Sequence, residues 1–256
     1  MVKTAERISS AASADNPVFQ RHLIAYYEAK KLVKGSTLEI GCGEGYGIEI
    51  LADNTENYLA IDKFKAAAFD KYQDHEGVEC RQMSVPPLEG IESDSFDTVV
   101  SFQVIEHIED DEKFLEEIRR VLKKGGKAII TTPNKKMSLT RNPWHIREYD
   151  PAEMERLVAK YFADYEIKGL YGNEKVMQYY EENKRSVQKI TRFDILNLQY
   201  LLPRALLKVP YDILNRMNRD KLKEASNGIA AEITSGDYFL DEVSEICLDY
   251  FIILNK

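Results

Sequence analysis

Short apolar runs of strand length alternate with helical segments between residues 37 and 132. The runs are TLEI (37–40), YLAI (58–61), GVECRQ (77–82), DTVVSF (97–102) and KAIITT (127–132). The clearest helical segment between them begins at Asp110 and ends at Gly125-Gly126. Short strands joined by helical crossovers form parallel sheets that are covered on both faces. The pattern therefore predicts an α/β, doubly wound fold.

Two more strands are predicted after this region, at 163–172 and 246–255. The second is apolar enough to be buried in the same sheet. The stretch between them is rich in Tyr, Asn, Leu and Arg, and prolines break its helical segments. We expect a core formed by 1–172 and 245–256, with 173–244 inserted between the last two strands as a helical cap that contacts the substrate.

The composition is that of a folded chain: 44% of the 256 residues are hydrophobic and 30% are charged. The three cysteines, Cys42, Cys80 and Cys247, are widely spaced and match neither a CxxC metal motif nor a disulfide framework, so we expect reduced thiols. The first thirty residues lack the apolar centre of a signal peptide, and no run of apolar residues is long enough to cross a membrane. A cytoplasmic location is the expectation.

The net charge of −8 argues against nucleic acid as the main partner, because such binders need a basic surface. Residues 184–223 nevertheless contain ten Lys or Arg and three Asp, a net charge of +7 against −15 for the rest. Within this segment, 193–217 has helical apolar spacing with interleaved cations. Cap helices that face the core are the simpler interpretation, because Pro203 and Pro210 interrupt the segment. Contact with an anionic membrane surface is the alternative.

The glycine-rich turn EIGCGEGYG (39–47) ends the first strand and opens a helix. In a doubly wound sheet this is the crevice where ligands bind. A dinucleotide fingerprint requires glycine where this chain has Tyr46, and the GK[ST] of a triphosphate-binding loop is missing from the turn. The turn is therefore expected to bind a different nucleoside-containing ligand.

Three carboxylates indicate which ligand that is. Asp62 ends the second strand, where a carboxylate accepts hydrogen bonds from ribose hydroxyls. Glu39 precedes the glycines and Glu44 lies among them, an arrangement that repels a pyrophosphate but suits a cationic ligand. We expect Glu39 to contact the methionine end of S-adenosylmethionine, which combines adenosine with a sulfonium and an ammonium.

Four segments resemble the successive motifs of class I S-adenosylmethionine-dependent methyltransferases of the type 11 kind. They are LEIGCGEGYG (38–47), LAIDKF (59–64), SFDTVVSFQVIEHI (95–108) and RRVLKKGGKAIITTPN (119–134). The segment 142–162 is more loosely similar to bacterial members that act on cell-surface glycans or small metabolites. The resemblance implies seven strands in the order 3-2-1-4-5-7-6, with the last strand antiparallel.

The resemblance and the turn together assign thirteen residues to the cofactor: Glu39, Gly41, Cys42, Gly43, Gly45, Tyr46, Asp62, Lys63, Gln82, Met83, Ser84, Phe102 and Gln103. One departure from the family pattern concerns adenine. Where relatives commonly have an acid after the third strand, this chain has Gln82-Met83-Ser84. Adenine is then expected to be held by backbone groups, Gln82 or Ser84, with Met83 packed on its ring.

Two histidines are candidates for a general base that accepts the proton of a hydroxyl acceptor. His107 follows Glu106 just after the fourth strand, and His145 lies in RNPWHIRE (141–148) beyond the fifth. The alternatives are that His107 only organises its loop and that His145 packs against Trp144. His145 and Glu148 alone do not make a ligand set, so no metal is expected.

The stretch after the fourth strand also lacks the DPPY-like motif of nucleobase N-methyltransferases, which excludes that activity. The favoured function is methyl transfer from S-adenosylmethionine to an oxygen of a glycan precursor or related small metabolite. Methylation of a small aromatic or quinone-like compound is an alternative, and a non-catalytic S-adenosylmethionine-binding regulator is another.

Overall fold

The computed structural model describes residues 16–65, 67–72, 74–192, 194, 197–225 and 228–256. One sheet forms the centre of the molecule. Its strands are β1 (Ser36–Ile40), β2 (Asn57–Asp62), β3 (Val78–Gln82), β4 (Phe96–Phe102), β5 (Leu122–Pro133), β6 (Asp164–Gly172), β7 (Tyr238–Glu242) and β8 (Asp249–Asn255). Their order across the sheet is β3-β2-β1-β4-β5-β8-β6-β7.

Helices connect the strands and cover the sheet. They are α1 (Asn16–Lys30), α2 (Tyr46–Leu51), α3 (Ala67–Lys71), α4 (Asp111–Val121), α5 (Pro151–Ala159), α6 (Glu174–Thr191), α7 (Leu198–Leu201), α8 (Arg204–Ala225) and α9 (Ile229–Glu232). Local sequence explains the clearest boundaries. Asp110 caps α4 by accepting a hydrogen bond from the Lys113 amide, and Asp150 forms a capping box with Glu153 at the start of α5.

The predicted doubly wound α/β sheet is confirmed, with a difference in strand count. Strands β1 to β5 are parallel, and β8 runs antiparallel to both of its neighbours, as expected of the last strand. The seven-strand prediction missed β7, which pairs antiparallel with β6 at the sheet edge. This strand lies inside 173–244, which was expected to be entirely helical. β7 has only five residues, which are too few to give a clear alternation of apolar and polar positions in the sequence.

Helices cover both faces of the sheet, and successive side chains of a strand point to opposite faces, so each strand contributes to two clusters. On β1, Leu38 and Ile40 join the cluster that packs against α4 and α5, whereas Glu39 points to the opposite face. That opposite cluster contains residues of α1, α2 and α3, together with Tyr58 of β2. A third cluster contains residues of α6, α8 and α9, the helices that belong to the inserted cap.

In α7 and α8 of the inserted segment, many apolar side chains are exposed, which contradicts the interpretation that the cap helices turn them toward the core. Leu222 is buried, but several apolar residues of α7 and α8 are exposed: Leu198, Leu201, Leu206, Val209, Ile213, Leu214 and Met217. Phe193, Ile195 and Leu196 of the predicted apolar segment, and the first fifteen residues of the stretch considered for a signal peptide, lie outside the described residues. In the part of the chain that is described, no helix combines the length and apolar character needed to cross a membrane.

Candidate functional site

The glycine-rich turn between β1 and α2 is held by backbone hydrogen bonds. The amides of Gly41 and Cys42 both donate to the Ile61 carbonyl, at 2.8 and 3.1 Å, and so attach the turn to β2. Gly43 has a φ of +54°, and a Cβ added there would have no atom within 4 Å. The backbone is therefore bare at the point where the turn faces open space.

Asp62 joins this turn to the end of β2. Its Oδ2 accepts a hydrogen bond from the Gly43 amide at 3.0 Å, and its Oδ1 accepts one from the Phe64 amide at 2.8 Å. A carboxylate oxygen has two acceptor positions, so both oxygens retain a lone pair after these bonds. The carboxylate is thus positioned for a pair of neighbouring hydroxyls.

A cavity of about 340 Å³ opens at the carboxyl ends of the parallel strands, and we call it the turn cavity. Nine of the thirteen predicted cofactor residues line it: Gly41, Gly43, Tyr46, Asp62, Lys63, Met83, Ser84, Phe102 and Gln103. Gln103 has a φ of +56°, and its backbone amide donates to the Thr131 carbonyl. This bond to β5 holds Gln103 in an uncommon backbone conformation. The residues named from the sequence thus form much of the lining, and their contact with the cofactor stays a prediction.

Three of the other four predicted residues support the cavity from outside. Cys42 is buried behind the turn, and burial raises the pKa of its thiol. Gly45 lies where a Cβ would be 2.2 Å from Ala68, so it permits close packing against α3. The exposed Gln82 side chain donates to the Lys63 carbonyl at 2.9 Å, so its contact with adenine stays a prediction.

Glu39 is the fourth; it is not among the residues that line the turn cavity, and its contact with the methionine end of the cofactor stays a prediction. It is almost completely buried, and its two oxygens accept hydrogen bonds from the hydroxyls of Tyr26 at 2.7 Å and Tyr58 at 2.9 Å. Burial raises the pKa of this carboxyl to about 7, although the two tyrosine bonds oppose the shift. Glu39 therefore organises the elements behind the turn.

The sequence analysis missed several residues that line the turn cavity, including His22 and Trp144. His22 reaches it from α1, with Nδ1 3.4 Å from the Tyr46 hydroxyl. Trp144 reaches it from the loop after β5, and its Nε1 donates to Asp212 of α8 at 2.9 Å. Lys208 of α8 lies 4.2 Å from the centre of the indole ring. Trp144 is the only tryptophan in the sequence, but nothing in the sequence around it indicates that its ring lines the turn cavity.

The two candidate histidines meet at the edge of the turn cavity. Their rings are 4.9 Å apart and nearly perpendicular. His107 lines the turn cavity, and its Nδ1 donates to the Trp144 carbonyl at 3.0 Å, so Nε2 carries the lone pair. His145 Nδ1 lies 2.6 Å from a Glu148 oxygen, and its Nε2 lies 2.9 Å from the Asn142 amide nitrogen. Donation from Nδ1 to the carboxylate leaves Nε2 of His145 as the acceptor.

Glu106 extends this histidine pair. Its side chain is buried and accepts a hydrogen bond from the Thr132 hydroxyl at 2.9 Å. Burial raises the pKa of its carboxyl, and the charges of His107 and His145 oppose that shift. One potential metal-ligand atom from each of these three residues lies within 4.8 Å of the others. The sequence analysis considered only His145 with Glu148 as a ligand set and did not identify this group. All three residues already form hydrogen bonds with neighbours.

A second cavity, of about 240 Å³, lies on the other side of His145 and is lined mainly by polar side chains; we call it the cap cavity. Tyr, Asn and Arg are the commonest residue types in its lining, beside apolar residues such as Val176 and Leu248: Arg21, Asn134, Asn142, Tyr179, Tyr180, Asn183, Tyr211, Asn215, Asn218, Arg219 and Tyr238. Asn218 is only 6% exposed and donates to Asn183 Oδ1 at 2.7 Å. Within the described residues its own Oδ1 is buried without a hydrogen-bond partner.

Arg21 connects the cap cavity to the end of β8. Its Nε lies 3.1 Å from Asp249 Oδ2. Asp249 is buried, and burial raises the pKa of its carboxyl to about 6 although the Arg21 charge opposes the shift. The cation and the carboxylate are therefore held together beneath the polar lining.

The residues of the turn cavity fit S-adenosylmethionine. The bare backbone at Gly43 leaves room for a close approach, and Asp62 has acceptors for a ribose diol. Met83 and Phe102 supply apolar surface for a purine ring. Glu44 lines the cavity together with Asp62, and the two carboxylates suit a ligand with cationic groups and disfavour a pyrophosphate.

Comparisons with known proteins agree with this fit. A model of the family described as Methyltransferase domain matches residues 38–130. A protein of Mycolicibacterium smegmatis named "probable S-adenosylmethionine-dependent methyltransferase" is 33% identical over 175 residues, 66% of this chain and 67% of that protein. A protein of the same description from Mycobacterium tuberculosis, Rv3030, is 34% identical over 66% of this chain and 64% of its own length. The human mitochondrial ubiquinone biosynthesis O-methyltransferase is 35% identical over 114 residues, 41% of this chain and 31% of that protein.

The solved structure of the YcgJ protein from Bacillus subtilis has the same fold, with a TM-score of 0.54 and 17% identity over 92% of this chain and 99% of that one. A doubly wound sheet with this cavity at its glycine-rich turn defines a class I, Rossmann-like methyltransferase. The chain belongs to the family of S-adenosylmethionine-dependent methyltransferases. Its cofactor is S-adenosylmethionine.

Proposed function

We propose that the protein transfers a methyl group from S-adenosylmethionine to an oxygen of a glycan precursor or a related small metabolite. The observation that carries the proposal is the contact between His107 and His145. One ring lines the turn cavity and the other lines the cap cavity, so the two cavities adjoin at the histidines. An acceptor in the cap cavity would present its nucleophile at this junction.

The lining of the cap cavity supports a hydroxylated acceptor. Amide and phenol side chains donate and accept hydrogen bonds, and sugar hydroxyls do the same. The buried Oδ1 of Asn218 needs a donor, which a hydroxyl supplies. Arg21 is paired with Asp249, but Arg219 adds a second cation to the lining and favours an acceptor that also carries negative charge, such as a uronic acid or a nucleotide-linked sugar.

The residues at the junction have the geometry for proton removal. S-adenosylmethionine supplies a methyl group on a sulfonium, which a nucleophile displaces in line. His145 accepts the hydroxyl proton at Nε2 once the acceptor has replaced the Asn142 amide there. Glu148 at Nδ1 holds the ring and stabilises its charged form. Trp144 lines the turn cavity and, anchored to Asp212 of α8, excludes water from it.

The test is turnover against a panel of acceptors. Purified protein is incubated with S-adenosylmethionine labelled in its methyl group, and transfer is counted with uronic acids, nucleotide-linked sugars and small dihydric phenols. Label in a sugar fraction, lost in His145→Ala, supports the proposal. Labelling of the phenols alone contradicts it.

Methylation of a small aromatic or quinone-like compound is the second candidate, because the human relative is named for ubiquinone biosynthesis. That match covers 41% of this chain. The Asn and Arg side chains of the cap cavity favour a hydroxylated or charged acceptor over such a compound, although tyrosine rings also line the cavity. Tight cofactor binding with no acceptor in any extract would instead support a non-catalytic regulator.

A further inference from the structure

We propose that the outer face of α7 and α8 docks onto the surface of an anionic lipid bilayer. On α8 this face contains Leu206, Val209, Ile213 and Met217, each more than half exposed. Their spacing places them on one side of the helix, over three turns. Leu201 of α7, 72% exposed, belongs to the same apolar stretch of sequence. We call these five residues the apolar face.

The opposite side of α8 is polar. Tyr211, Asn215 and Asn218 line the cap cavity, and Asp212 accepts the indole hydrogen bond of Trp144. A surface helix ordinarily buries its apolar side and exposes its polar side. Because α8 does the reverse, its apolar face is left toward solvent. A contiguous exposed apolar surface of this kind marks an interaction site.

The distribution of charge identifies the occupant. Residues 184–223 have a net charge of +7 in a chain whose total is −8. Arg216 is exposed and lies three residues after Ile213, at the border of the apolar face. A bilayer with anionic headgroups accommodates both features, since apolar side chains enter the acyl boundary while cations remain among the headgroups. The rest of the chain is strongly acidic, so an anionic surface attracts this segment more than the remainder of the chain, even though Lys208 and Arg219 face Trp144 and the cap cavity.

Two other occupants fit less well. A second copy of the chain would bring two segments of like charge together, because a two-fold interface places the same surface on both subunits. The first fifteen residues, MVKTAERISSAASAD, contain few large apolar side chains to cover the face. Neither alternative uses both the apolar and the cationic character of the segment.

Docking would bring the cap cavity close to the bilayer. The helix that carries the apolar face also contributes part of the lining of that cavity. One helix diameter, about 10 Å, would then separate the cavity from the headgroups. The docking proposal requires no assumption about the acceptor, so it can fail or succeed independently of the proposed reaction.

The experiment is co-sedimentation of the full chain with vesicles. One set is phosphatidylcholine alone, and the other is phosphatidylcholine mixed with phosphatidylglycerol. We expect binding to the mixed vesicles that weakens as salt is raised. The double variant Val209→Asp/Ile213→Asp should bind roughly tenfold less. The matched control is Ile246→Asp, because Ile246 is 68% exposed and lies outside the cap helices. It should bind like the unmodified protein.

Folding and self-association are checked on the same samples. S-adenosylmethionine affinity, measured by calorimetry, should be the same in all variants, because Val209 and Ile213 do not line the turn cavity. Equal binding of the double variant and the control would overturn the proposal, as would equal binding to both kinds of vesicle. A dimer in sedimentation velocity that dissociates only in the double variant would assign the face to a second copy instead.

Discussion

Tyr26 on α1 donates a hydrogen bond of 2.7 Å to Glu39 on β1, inside the layer beneath the glycine-rich turn. Tyr58 on β2 donates to the other oxygen of the same carboxyl. A Cβ on Gly47 would lie 2.2 Å from the Tyr26 ring, so glycine allows α1 to pack closely on the turn. One carboxyl thus connects α1, β1 and β2.

The pH dependence of stability should report on this carboxyl. Its ordinary pKa of 4.5 rises to about 7 in the folded protein, so the folded state holds a proton across that interval that the unfolded state has lost. The free energy of unfolding should therefore fall as pH rises from 4.5 to 7. Asp249 acts in the same direction up to about pH 6. Glu39→Gln should reduce this fall by about 3 kcal/mol, measured by denaturant unfolding at several pH values.

The control for this measurement is Glu112→Gln. Glu112 is exposed, and hydrogen bonding to Lys160 lowers the pKa of its carboxyl, so its titration falls below the interval. The slope between pH 5 and 7 should then match that of the unmodified protein. If Glu39→Gln also left the slope unchanged, the assignment of a buried protonated carboxyl would be wrong.

Asp62→Ala should weaken S-adenosylmethionine binding by about 1.5–3 kcal/mol, because hydrogen bonds to a charged group are lost. Calorimetric titration measures the change. Asp70→Ala is the matched control, since Asp70 is an exposed acid on α3, paired with Lys65 and outside the turn cavity. Equal affinities of the two variants would remove Asp62 from the binding site.

Gly43→Val should abolish cofactor binding, because the new side chain would project into the turn cavity. Backbone strain alone could also disturb the protein, since valine disfavours a positive φ. Gly90→Val separates the two effects: Gly90 has a φ of +72° and equally open surroundings, but it lies outside this cavity. Binding should survive in Gly90→Val. Binding retained in Gly43→Val would place the ligand elsewhere.

Local patterns in the sequence were sufficient to predict the turn and most of its cavity. Gly41, Gly43 and Asp62 are positioned by the strands they follow, and the order of those strands is regular in doubly wound sheets. The alternation of side chains on β1 is also local. The partners of Glu39 are not, because Tyr26 and Tyr58 approach from separate elements.

The rest of the site depends on contacts between distant segments. Trp144 lines the turn cavity because Asp212 and Lys208, more than sixty residues away, hold its ring. The cap cavity requires α1, the loop after β5, α6 and α8 to converge. Periodicity on α8 indicated an amphipathic helix but not which side faces the protein. A surface helix usually buries its apolar face, whereas α8 buries its polar face against the cap cavity.

The roles of the two histidines can be separated by comparing turnover with cofactor affinity. His145→Ala should reduce turnover roughly 10²–10⁴-fold, the usual contribution of a general base, while S-adenosylmethionine affinity stays unchanged because His145 lines the cap cavity. Glu148→Gln should reduce turnover less, because the amide still orients the ring but no longer stabilises its charge. His107→Ala should weaken cofactor binding as well, since His107 lines the turn cavity.

His75→Ala is the control, because His75 is exposed and bonds to the Glu76 carbonyl. Initial rates of transfer to the acceptor found in the panel, with calorimetry of the cofactor, give both quantities. An unaltered rate in His145→Ala together with a large loss in His107→Ala would assign the base to His107, whose Nε2 also carries a lone pair.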